Sequence, residues 1–130
     1  MCIRDRIITD HHICPDNLPD AYAIIDPKNK LDRYPYEHLC GASVAYKMAV
    51  ALMGESVTLK EELLAFAALA TIADLVPLTL ENRTIASIGI AQIKKGVNLG
   101  LKKLIDVAAI NKESITGGNI AYHIAPRINA

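Results

Sequence analysis

The chain has 130 residues, 52% of them hydrophobic and 22% charged, with 14 Lys plus Arg set against 14 Asp plus Glu. That apolar supply excludes a disordered chain, and a net charge of zero argues against a simple basic nucleic-acid binder. The balance is uneven, however: residues 1–90 carry a net −4 and residues 91–130 a net +4. The longest apolar run, residues 63–73, falls short of the roughly 18 residues that span a bilayer, so no membrane association is expected. The charged start, Met1 to Arg6, has no apolar segment behind it and predicts no signal peptide. Three cysteines (Cys2, Cys14, Cys40) with no C-x-x-C pair point to free thiols and a cytoplasmic setting. Trp is absent and Phe66 is the only Phe, which leaves little surface for stacking bases.

The β-prone run Ile7-Ile8-Thr9 predicts a strand that ends at the polar cluster Asp10-His11-His12. A loop over 15–19 leads to a second short strand over 21–25, stopped by Asp26-Pro27. Residues 28–35 read as turn. From Gly41 the period becomes helical, with Val44, Ala45, Met48, Ala49 and Leu52 on one stripe and Gly54 closing the helix. Thr58 and Glu61 form the pattern of a capping box for a helix over 59–73, apolar nearly all round and therefore buried on most sides. Its alanines allow close approach of neighbouring elements. After Pro77, a third helix is predicted over 81–95, with Ile85, Ile88 and Ile93 inward and Gly96 ending it. A fourth runs over 99–109, with Leu101, Leu104, Ile105 and Ala108 as its stripe. Thr116 can cap a last short helix that Pro126 closes. Strands followed by many helices describe the trailing part of an α/β domain.

Four groups of residues offer chemistry. Asp10-His11-His12 stands at the carboxyl end of a strand, where open α/β sheets bind ligands. Imidazole and carboxylate together suit Mn²⁺, Zn²⁺ or Fe, with Asp10 orienting a histidine; the plain alternative is a polar surface turn. Asp74 ends the apolar run, where a charge is costly unless paired or metal-bound; the alternative is a helix-end Asp bonding nearby amides. Glu81-Asn82-Arg83 reads as the capping and solvation of a helix start. Arg127 and Asn129 read either as surface residues or as contacts to a phosphate. His38 and His123 look like ordinary histidines, Cys14 lacks the second thiol that a zinc site needs, and the lysines at 94–95 and 102–103 read as solvated helix faces or as the lining of a nucleic-acid path.

In order, Ile8-Thr9-Asp10-His11-His12, Leu18-Pro19-Asp20-Ala21, Ala23-Ile24-Ile25-Asp26-Pro27, Tyr34-Pro35-Tyr36, Leu39-Cys40-Gly41-Ala42-Ser43, Thr71-Ile72-Ala73-Asp74-Leu75-Val76-Pro77-Leu78, Glu81-Asn82-Arg83 and Pro126-Arg127-Ile128-Asn129-Ala130 resemble the DHH phosphoesterase superfamily. Within it they are similar to the RecJ single-strand-specific exonucleases. The resemblance implies a DHH-type parallel-sheet (Rossmann-like) α/β fold followed by a mostly helical segment. It implies a phosphodiester hydrolase with two metal ions, Mn²⁺ or Mg²⁺, that degrades single-stranded DNA from the 5′ end in repair and recombination. Carried over residue by residue, it makes His11 and Asp74 metal ligands, puts His12 at the scissile phosphate with Asp10 in support, and places Arg127 and Asn129 near the DNA path.

The family's upstream Asp-x-Asp motif, its downstream DHH-associated domain and its OB-fold have no counterpart in these residues, and Asp26 stands where the family usually has Asn. The expectation is therefore an internal fragment: residues 1–110 a partial DHH catalytic domain, residues 111–130 the start of a connection to a further domain, and little activity in isolation. Two rivals stay open: a DHH phosphodiesterase acting on oligonucleotides or cyclic dinucleotides, and a non-catalytic DHH-derived scaffold of the replication machinery.

Overall fold

A computed structural model describes residues 6–54 and 57–129. Residues 1–5 and the Thr58 side chain of the predicted capping box lie outside the described ones. Strand β1 (Ile7–Thr9) and strand β2 (Ala23–Ile25) pair in parallel, with Ile8 opposite Ile24. The ladder is continued at one end by Asp10 N–H donating to Ile25 O at 3.1 Å. Ala21 and Tyr22 precede the second strand and do not belong to it.

Four helices follow: α1 (Gly41–Met53), α2 (Val57–Ala73), α3 (Leu80–Lys95) and α4 (Leu99–Val107). Helix α2 is the axis of the molecule, because its nearly uniform apolar surface can be covered on several sides at once. One core joins Ala67 and Ala68 of α2 to Tyr36, Leu39, Val44 and Ile85. The other joins Ala65, Leu69 and Ile72 of α2 to Ile93, Leu101 and Ile105, and to Ile115, Ile120 and Ile124 near the carboxyl end. Helices α2 and α3 meet at Gly89, where an added Cβ would stand 2.1 Å from Ala68 Cβ and 2.7 Å from Leu64 O. Gly96 ends α3 in the left-handed region (φ 76°), its N–H returning to Gln92 O and Ile93 O.

Three details differ from the sequence pattern. Leu52 and Ile88 sit on apolar stripes yet are 75% and 45% exposed. Their helices are covered along only part of their length by the described residues. Helix α4 stops at Val107, two residues early, where Ala109 turns left-handed (φ 53°). Pro126 does not close the last helix. Thr116 caps it as expected, in a reciprocal capping box with Asn119 that secures the turn α5 (Gly117–Asn119). The chain then widens into a π-helical stretch, Ile120–Ile124, and continues through Pro126 as α6 (Ala125–Ile128). Proline lacks an N–H and crowds the carbonyl four residues back; the wider π turn immediately before it accommodates both.

Candidate metal and phosphate cleft

The end of β1 delivers Asp10, His11 and His12, and one carboxylate oxygen of Asp10 organises all three. Oδ1 accepts the His11 N–H at 2.7 Å and the His12 N–H at 3.2 Å, and it lies 2.7 Å from His12 Nδ1. Hydrogen bonding from the His12 ring, then from the His11 amide, holds the Asp10 carboxyl down at about 2. An ionised Asp10 accepts the Nδ1 proton of His12 and leaves Nε2 of that ring facing outward. The two imidazoles lean on one another, centroids 4.3 Å apart, but serve different surroundings. The His12 side chain is 76% exposed and that of His11 only 20%.

His11 points across the molecule. Its Nδ1 lies 3.6 Å from Oδ2 of Asp74, at the carboxyl end of α2. Asp74 is half exposed, so burial alone does not demand a partner for it, contrary to the argument from the apolar run. Its position is unfavourable for another reason: a carboxylate beside the negative end of a helix dipole is destabilised, typically by about 0.3–1 kcal/mol. No amide hydrogen bond to its side chain is present among the described residues.

His11 and Asp74 together line a cleft of about 360 Å³. The first turn of α1 forms one wall, through Cys40, Gly41 and Ala42, and Ala125, Ile128 and Asn129 form another. Helix α1 begins without a side-chain cap, and its Ser43 and Val44 N–H groups return to Cys40 O at 2.9 and 3.0 Å. Gly41 is packed against the imidazole: an added Cβ would stand 3.0 Å from His11 Cδ2. Behind that wall Cys40, Ser43 and Thr71 form a buried polar link between α1 and α2, with Ser43 and Thr71 hydroxyls 3.0 Å apart. Of the sequence candidates, the cleft thus brings together His11, Asp74 and Asn129, with Asp10 and His12 beside it. Arg127 instead donates to His123 O one turn back on its own helix and does not line the cleft.

Periodicity did not single out two features of this region. Asn82 is fully buried, and its Nδ2 donates to His38 O at 2.7 Å and Pro77 O at 3.0 Å. The signal was its place on the stripe shared with Ile85, Gly89 and Ile93, where a polar residue faces inward. Glu81 accepts from the Tyr34 hydroxyl at 2.5 Å and pairs with Lys47, which lies over the Tyr34 ring. Helix-start capping explains neither residue.

A family model described as the DHH family, N-terminal domain, matches residues 3–71. The chain belongs to the DHH family. Curated relatives of the chain carry the name single-stranded-DNA-specific exonuclease RecJ, three of them as follows. The one from Bacillus subtilis is 46% identical over 97% of this chain, the one from Haemophilus influenzae 35% over 95%, and the one from Thermus thermophilus 34% over 95%. This DHH chain spans only 16%, 24% and 18% of those relatives' own lengths.

Proposed function

We propose that these residues supply part of the catalytic centre of a divalent-metal-dependent exonuclease that hydrolyses single-stranded DNA from the 5′ end, in the cytoplasm, during repair and recombination. The observation that carries the reading is the 3.6 Å approach of His11 Nδ1 to Asp74 Oδ2 across an open cleft. That gap is long for a hydrogen bond. The two atoms stand close enough together for one cation to take both as ligands. The donor set, one imidazole and one carboxylate, fits Mn²⁺ and is compatible with Mg²⁺. A second ion and the remaining ligands would be held by residues beyond this set. The names of the relatives favour a nuclease over a small-substrate phosphodiesterase or a scaffold.

In this reading His11 and Asp74 hold the metal, and the carboxylate's poor position at a helix end becomes an asset once a cation is present. The bound metal supplies charge neutralisation for the phosphate and acidifies water. Asp10 keeps His12 in one tautomer, with Nε2 free to take up a proton and, once protonated, to donate to a phosphate oxygen. Gly41 and Ala42 line the same space at the positive end of α1, a position that suits an anion. Asn129 contributes an amide from the far wall; Arg127 serves the DNA path only by leaving His123 O. Residues 1–110 are read as part of the DHH catalytic domain, and 111–130 as the start of the connection beyond it.

The test is cleavage of 5′-labelled single-stranded DNA by the longer active protein that contains these residues. His11→Ala or Asp74→Ala should each lower the rate by at least a hundredfold while the melting temperature stays within a few degrees. Activity retained in both variants would overturn the ligand assignment.

A further inference from the structure

The Glu81-Asn82-Arg83 segment is not accounted for by the site as described, and the loop between Asp74 and Asn82 is unusual in its backbone. Helix α2 ends with Asp74 N–H on Ala70 O. The next residue, Leu75, is left-handed (φ 53°), and Leu80, which opens α3, is left-handed too (φ 40°). Residues with a Cβ avoid that region and hold it only where their surroundings over-determine it. Two buried side chains hold the segment between them. Pro77 O accepts from Asn82 Nδ2 at 3.0 Å and lies 3.1 Å from the Tyr36 hydroxyl, which is also 3.1 Å from Thr79 O. Asn82 is fully buried and Tyr36 is 7% exposed, so both are held in place by packing.

The second hydrogen of the Asn82 amide goes elsewhere, to His38 O at 2.7 Å. His38 lies just ahead of Cys40 and Gly41, the wall against which the His11 ring rests. One side chain therefore ties the turn after Asp74 to the segment that backs His11. An aliphatic residue would fill the same inward position on α3 at no polar cost. An amide there leaves Oδ1 buried without a partner, and what it gains is two donated hydrogen bonds.

We propose that Asn82 and Tyr36 are positioning residues: by gripping the Pro77 carbonyl, and through Asn82 the His38 carbonyl as well, they hold the turn that sets Asp74 opposite His11. The proposal rests on reading His11 and Asp74 as a ligand pair. Neither residue touches substrate or metal; each acts through the backbone of the loop.

The experiment compares the longer active protein that contains these residues with its Asn82→Asp and Tyr36→Phe variants and, as a control on the exposed neighbour, Arg83→Gln. The aspartate keeps the shape but turns an acceptor toward two carbonyls; the phenylalanine removes one hydroxyl. The first readout is the imidazole ¹⁵N–¹H signals of His11 in the metal-free protein, and the second is Mn²⁺ affinity by electron paramagnetic resonance. Both test variants should shift the His11 signals and weaken Mn²⁺ binding about tenfold, as loss of groups that orient metal ligands typically does, whereas Arg83→Gln should do neither. If Asn82→Asp does not fold by circular dichroism, Tyr36→Phe decides. His11 signals at wild-type positions in every folded test variant would overturn the proposal. If the wild type itself retains no Mn²⁺ while the variants still move His11, the clamp stands and the metal reading falls.

Discussion

Asp10 shows how a short motif earns its residue types. A strand end needs its outgoing amides satisfied, and one carboxylate oxygen does this for two successive residues while also fixing a ring. Without the aspartate the exposed His12 ring would be free to rotate. A second carboxylate nearby, Asp26, is 2% exposed and carries a weaker donor. Its Oδ1 accepts the Lys28 N–H at 2.9 Å, and its Oδ2 accepts the Cys14 thiol at 3.0 Å. Accepting that hydrogen bond favours the protonated thiol and opposes a thiolate beside the carboxylate, so Cys14 is pushed up from 9.0 to about 11. Thiolate is the reactive form, and its amount grows with pH only as the thiol titrates. At pH 8 Cys14 should therefore hold about a hundredfold less thiolate than an ordinary cysteine and alkylate correspondingly slowly. Iodoacetamide labelling read by mass spectrometry checks this: Asp26→Asn should accelerate Cys14, and labelling of the wild type at the rate of a free thiol would refute it.

At the scale of elements, the contact between α2 and α3 joins the helix that ends just before Asp74 to the helix that carries Asn82. Small residues at 67–70 were legible as a surface for close approach, but their partner was not, because Gly89 lies on a helix whose pattern reads as an ordinary amphipath. The structure pairs Gly89 with Ala68 and with the Leu64 carbonyl. Backbone cannot yield as a flexible side-chain tip can. Gly89→Ala should therefore destabilise the chain by about 1–3 kcal/mol, despite the better helix propensity of alanine, in urea unfolding followed by circular dichroism. An unchanged midpoint would show that the helices separate freely. The same scale explains what periodicity conveyed. Strand β1, helices α1 to α3 and the Thr116 cap could be read locally, since their signals are apolar spacing and capping residues. The burial of Asn82, the exposure of Leu52 and Ile88 and the passage of the chain through Pro126 depend on which element lies opposite, and that is a non-local fact.

For the whole molecule, the carboxyl-terminal stretch is the unexpected part of the site. Ile115, Ile120 and Ile124 enter the core shared with α2, α3 and α4, and this anchoring returns Asn129 to the wall facing His11 and Asp74. The zero net charge also takes on a different meaning. Residues 1–90 hold the acidic excess, Asp10 and Asp74 among it, and a bound cation would offset part of that excess beside the phosphate. Charge balance is thus no argument against nucleic acid once a metal stands between. The ligand count then limits what these residues can do alone. Divalent cations of this kind prefer about six donors, and across the cleft the chain presents one imidazole nitrogen and one carboxylate. Two protein donors leave most of the coordination shell to water, so binding should be weak, and the phosphate would meet an ion that is poorly fixed in place. Catalysis by positioned metal depends on that fixation, since a misplacement of about 1 Å can cost a hundredfold in rate. The 130-residue chain incubated alone with Mn²⁺ and 5′-labelled single-stranded DNA should therefore leave the DNA intact, while His11→Ala should abolish what Mn²⁺ binding the chain retains. Efficient 5′-to-3′ digestion by the chain alone would mean that the remaining ligands lie within these residues, and that His11 and Asp74 are not the partial set described.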